Sequence, residues 1–107
     1  MVEPKIYNKL VRDYIPRIIT ETGKIPHTRI AKDKEYFLAL QDKLQEEVAE
    51  YLGSNSPEEL ADIMEVVHAL ALYQNINPQD LEEIRVKKAK ERGGFLERII
   101  LEKVTSK

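Results

Sequence analysis

The stretch LQEEVAEYLGSNSPEELADI places carboxylates at Glu46, Glu47, Glu50, Glu58, Glu59 and Asp62, on either side of one short turn, with Glu65 just beyond. On a helix, residues three and four apart share a face, so Glu46, Glu47 and Glu50 project together, as do Glu59 and Asp62. Glu47 has Leu40 and Leu44 behind it and Tyr51 ahead, so a charge interrupts an apolar stripe. Glu46, Glu47 and Glu50 also stand near the C-terminal end of their helix, where the macrodipole disfavours negative charge by a few tenths to about 1 kcal/mol. Something cationic must compensate. Clustered carboxylates facing a partly enclosed cleft are ligands for hard divalent cations, which favours Mg²⁺ or Mn²⁺ over zinc. Glu58 and Glu65 read as ordinary surface residues, and Glu59 doubles as a candidate capping-box partner of Ser56.

The elements that must position these groups are delimited by caps and breakers. Phe37, Leu40, Leu44, Val48 and Tyr51 recur at helical intervals from about Asp33 to Leu52, with Gly53 as the expected C-terminal stop. SPEE then offers Ser56 as N-cap and Pro57 as first helical residue of a helix running to about Asn75. NPQD repeats the device at Asn77 and Pro78, and RGG ends that helix. A shorter helix is expected upstream, capped near Asp13, with Pro16 in its first turn and Gly23 at its end. HTRIA and RIILEKV, at residues 27–31 and 98–104, have the β-branched character of short strands.

GSNS is too short to join two helices except as an antiparallel hairpin, so the helix ends meet. Glu50 and Glu59 then sit about 4.5 Å from the turn, and Glu47 and Asp62 roughly another 4.5 Å deeper, which lets the two acidic faces oppose. Phosphate-binding cations are available at Arg85, Lys88 and Arg92 on one face of the fourth helix, and at Lys9 and Arg12 in NKLVRD. His68 lies on an apolar helix and reads as a packed or interface histidine. Tyr7, Tyr73 and Phe95 could stack a base, although core packing is the ordinary role of such rings.

The chain has 107 residues, no cysteine, a formal charge of −2 and 34% charged residues. These exclude a disulfide framework, a thiolate nucleophile and a nucleic-acid binder working through a broad basic surface. No run approaches the roughly 18 apolar residues of a membrane helix, and the N-terminus lacks a signal-peptide pattern, so a single cytoplasmic domain over 1–107 is expected. The third helix carries Leu60, Ile63, Met64, Val66, Val67, Leu70, Leu72 and Tyr73 around most of its circumference, which predicts a homodimer or a dimer of dimers.

The pattern E-E-x-x-E followed by E-x-x-D, here EEVAE at Glu46–Glu50 and ELAD at Glu59–Asp62, resembles that of the all-α nucleoside triphosphate pyrophosphohydrolases, in particular MazG-like proteins. YNKLVRDYIP and ERGGFLERIIL are similar to segments of a MazG-like subgroup labelled phosphoribosyl-ATP pyrophosphohydrolase-like, so the resemblance spans most of the chain. It implies a four-helix all-α bundle around a central hairpin. It also implies Mg²⁺-dependent cleavage between the α- and β-phosphates of a nucleotide, giving a monophosphate and pyrophosphate. By motif position, Glu47, Glu50, Glu59 and Asp62 would hold the metal, while Glu46 would assist a second ion or orient the attacking water. Lys9, Arg12, Lys88, Arg85 and Arg92 would serve the nucleotide substrate. The interval from Glu50 to Glu59 is shorter than is usual in the family. Three functions stay open: a house-cleaning nucleotide pyrophosphohydrolase, a phosphoribosyl-ATP pyrophosphohydrolase of histidine biosynthesis, and a non-catalytic helical dimer binding metal or nucleotide.

Overall fold

The computed structural model describes residues 3–106 and contains four helices: α1 (Ile15–Glu21), α2 (Asp33–Ser54), α3 (Pro57–Tyr73) and α4 (Pro78–Arg92). The protein is all-α, and among the described residues no strand is found. None of the helices is long and apolar enough to cross a membrane.

Caps account for most boundaries. The Ser56 hydroxyl accepts the Glu58 N–H at 3.3 Å, and the Asn77 side-chain carbonyl accepts the Asp80 N–H at 2.8 Å, each followed by proline at the helix start. At the head of α2 the Glu35 carboxylate reaches back to the Lys32 N–H at 3.4 Å and is gripped by both arms of the Arg29 guanidinium at 2.6 and 2.7 Å. Arg29 holds the Glu35 carboxyl below its ordinary range.

Several sequence expectations are corrected. Helix α2 continues through Gly53 and stops at Asn55, whose φ of 56° is left-handed. Asparagine tolerates that conformation, and Asn55 N–H still reaches the Tyr51 carbonyl. Asp13 does not cap α1. Tyr14 stands at that position without a side-chain bond, because the tight turn is closed by the Ile15 N–H on the Arg12 carbonyl at 3.1 Å. Residues 27–31 and 98–104 are not strands: each lacks a neighbouring strand in the chain, and without a ladder an extended segment has no reason to be regular.

Helices α2 and α3 form the expected central hairpin, α4 meets α3 only, and α1 packs on none of the other helices. The open end of the hairpin is closed by aromatic rings: Tyr73 stacks on Phe37 at 4.8 Å, meets Tyr36 edge-on at 6.1 Å and donates its hydroxyl to Asp33 at 3.0 Å. Among the described residues, Leu40, Val66 and Ala71 form the buried apolar core. The radius of gyration is 19.1 Å, against about 13 Å for a compact domain of this length.

Candidate metal centre

The turn at Asn55 and Ser56 brings the last turns of α2 beside the first turns of α3, and one oxygen each from Glu47, Glu50 and Glu59 lies within 4.8 Å of the others. Glu47 is 7% exposed and, among the described residues, is the one charged residue that is buried. Its Oε1 faces Lys43 Nζ at 3.4 Å, while its Oε2 and the Oε2 of Glu59 are enclosed without a hydrogen-bond partner. Burial pushes the Glu47 carboxyl above its ordinary range, and the neighbouring Glu50 adds to the shift while Lys43 opposes it. Glu59 is raised as well, by burial first and then by Glu50 and Asp62.

Glu59 is therefore turned toward α2 and the other carboxylates, and the capping-box role that its position suggested is not taken up. The Ser56 hydroxyl caps α3 through Glu58 instead. Asp62 borders Glu59 and accepts from Arg12 at 2.7 Å. The Arg12 guanidinium also approaches Glu65 at 4.0 Å. Glu46 stands at the rim, bonded to Lys9 at 2.8 Å and to Lys43 at 3.3 Å. Lys9 holds the Glu46 carboxyl below its ordinary range, and Glu46 in turn raises the Lys9 ammonium.

Five acidic residues singled out from the sequence thus converge, and Lys9 and Arg12 from the N-terminal segment converge with them. Arg85, Lys88 and Arg92 do not. Arg85 is engaged with Glu82 on its own helix at 2.9 to 3.0 Å, and α4 meets α3 around Leu81, beside Val67 and Leu70, toward the opposite end of the hairpin. Among the described residues no ion pair links those three cations to the cluster. Lys43 was missed by sequence reasoning. Its signal was available, since it stands one turn before both Glu46 and Glu47, where a counter-charge was required.

The donor set is all oxygen. Two enclosed carboxylate oxygens with no partner are a high-cost arrangement in a protein interior, and a hard divalent cation would satisfy both. The residues present fit such an ion.

No family model matches the chain, and no solved structure matches it. An uncharacterized protein of Mycolicibacterium smegmatis is 52% identical over 48 residues, which cover 45% of this chain and 49% of that protein. The chain thus spans about half the length of this relative.

Proposed function

We propose that the protein is a MazG-like nucleotide pyrophosphohydrolase that uses Mg²⁺, or Mn²⁺, to convert a nucleoside triphosphate and water to the monophosphate and pyrophosphate. One observation carries the reading: Glu47 is a buried carboxylate with an unpartnered oxygen inside a three-glutamate cluster contributed by two helices. The motif resemblance supplies the reaction class. House-cleaning of surplus or aberrant nucleotides is the role proposed, with a phosphoribosyl-ATP pyrophosphohydrolase, which shares the metal chemistry, as the alternative.

Glu47, Glu50 and Glu59, with Asp62 beside them, would hold the ion. When bound, it supplies neutralisation of phosphate charge and a lowered pKa for water. Glu46, held below the ordinary carboxylate range by Lys9 and also by Lys43, is a charged acceptor at the rim that would orient the attacking water. Lys9 and Arg12, brought to the cluster's edge by the N-terminal segment, would bind phosphate oxygens by exchanging their present carboxylate partners for the substrate. The cluster is contained in one hairpin, and the assembly proposed for the whole protein is a homodimer or a dimer of dimers that covers the exposed apolar positions Leu60, Met64 and Leu72 of α3.

The test is a screen of nucleoside triphosphates with Mg²⁺ and detection of pyrophosphate. Wild type is expected to release pyrophosphate from at least one nucleotide. Glu47→Gln, which keeps volume and helix propensity, should lose activity by orders of magnitude. Glu65→Gln, at an exposed position, should stay near normal. Equal activity of the two variants would remove the site assignment, and orthophosphate as the product would remove the proposed bond cleavage.

A further inference from the structure

Lys43 Nζ lies 3.3 Å from Glu46 Oε2 and 3.4 Å from Glu47 Oε1, so one ammonium bridges the rim carboxylate and the buried one. Its side chain is 17% exposed, against 43 to 75% for the cations of the other ion pairs among the described residues. Lys9 holds the other oxygen of Glu46 at 2.8 Å. The charges thus alternate in one connected chain, from Lys9 through Glu46 and Lys43 to Glu47.

Two ordinary reasons for a lysine at this position do not account for it. The helix macrodipole favours cations in the last turn only, and Lys43 stands about three turns before the end of α2 at Ser54. A surface pair one turn apart is more favourable with the glutamate first, whereas here the lysine precedes both glutamates. An enclosed lysine also gives up hydration and side-chain freedom. What it gains is geometric. With Glu47 Oε1 engaged by Lys43, the oxygen of that carboxylate left without a partner is Oε2, and the carboxylate belongs to the cluster with Glu50 and Glu59.

We infer that Lys43 is a positioning residue of the metal centre: it fixes Glu47 with one oxygen engaged and the other free for the ion, and it keeps Glu46 in place while Lys9 exchanges its carboxylate partner for a phosphate. This rests on the metal centre proposed above and names the residue that orients its ligands. Hydrogen-bonding partners of ligating carboxylates fix their orientation, and losing one costs about 10- to 100-fold in metal affinity. Coulomb's law alone predicts the opposite sign, because an ammonium beside the ligands repels a divalent cation and its removal should tighten binding. The sign of the effect therefore separates a positioning residue from a simple counter-ion.

Mn²⁺ binding, with no nucleotide present, is read from the loss of the free-ion signal in electron paramagnetic resonance. Lys43→Met, which keeps most of the length and removes the charge, should bind Mn²⁺ about tenfold or more weakly than wild type. Lys43→Arg, which keeps a charged donor, should recover most of that loss. Lys34→Met removes the same charge from an exposed position on the same helix and should leave the affinity unchanged. Unchanged or tighter binding in Lys43→Met makes Lys43 a counter-ion only and overturns the inference, as does a loss that Lys34→Met matches or that Lys43→Arg fails to relieve. If Lys43→Met lacks the helical circular dichroism of wild type, Lys43→Gln is measured in the same way. A wild type that binds no Mn²⁺ overturns the metal centre and this role with it, whereas normal binding by both wild type and Lys43→Met leaves the centre standing and removes only the role of Lys43.

Discussion

At the scale of single residues, Glu47 is the position that ordinary folding would not choose. Enclosing a carboxylate costs several kcal/mol unless it is fully paired, and Lys43 at 3.4 Å serves only one of its oxygens. Glutamine or an apolar residue would give a more stable hairpin, which is the stability cost that the proposed metal site would explain. Saturating Mg²⁺ at about 100 times its Kd stabilises the folded state by about 2.7 kcal/mol, a rise of roughly 10 °C or more in Tm for a chain of this size. We expect that rise in a thermal melt of wild type and its loss in Glu47→Gln, which, freed of like-charge repulsion, should be no less stable than wild type without metal. A wild-type melting curve that Mg²⁺ and Mn²⁺ both leave unmoved would remove the metal site.

Among the elements, the turn between α2 and α3 sets the distance between Glu50 and Glu59. Asn55 makes that turn with a left-handed φ of 56°, and Ser56 immediately caps the next helix. An alanine there carries the steric cost of a β-carbon in left-handed backbone, about 1 kcal/mol, whereas glycine carries none. Urea denaturation should therefore show Asn55→Ala destabilised by about 1 kcal/mol and Asn55→Gly close to wild type. If the turn positions the carboxylates, Asn55→Ala should also need more Mg²⁺ for the same rise in Tm. The head of α2 offers a check on electrostatics. Arg29 lowers the folded-state pKa of Glu35, so this group contributes stability above the ordinary carboxylate range and loses it as pH falls through the folded-state value. Glu35→Gln should lower Tm slightly at neutral pH, and the difference from wild type should close in acid.

For the molecule as a whole, the three buried apolar residues among those described are a small core for an independent domain, while Leu38, Leu52, Leu60, Met64 and Leu72 on the hairpin stay exposed. Association is the physical remedy. We expect light scattering at micromolar concentration to give the mass of two chains or four, and Tm to rise with protein concentration as mass action requires. A monomer with a concentration-independent Tm would contradict the assembly.

The sequence by itself determined the four helices and the hairpin, because these depend on neighbours: proline and a capping residue at Ser56 and Asn77, apolar side chains every three to four residues, and a connection too short to permit any other return. It also placed Glu46, Glu47, Glu50, Glu59 and Asp62 on two facing surfaces, since helical periodicity is local. Only the tertiary structure decided which cations answer them. Lys9 reaches Glu46 across 37 positions and Arg12 reaches Asp62 across 50, while Arg85, equally plausible by spacing, binds Glu82 on its own helix. That choice depends on the path of the loop before α1 and on the direction in which α4 leaves the hairpin. The depth of Glu47, the release of Glu59 from capping and the absence of strands at 27–31 and 98–104 have the same origin: each is set by what packs beside the residue, and packing partners far along the chain leave no periodic trace in it.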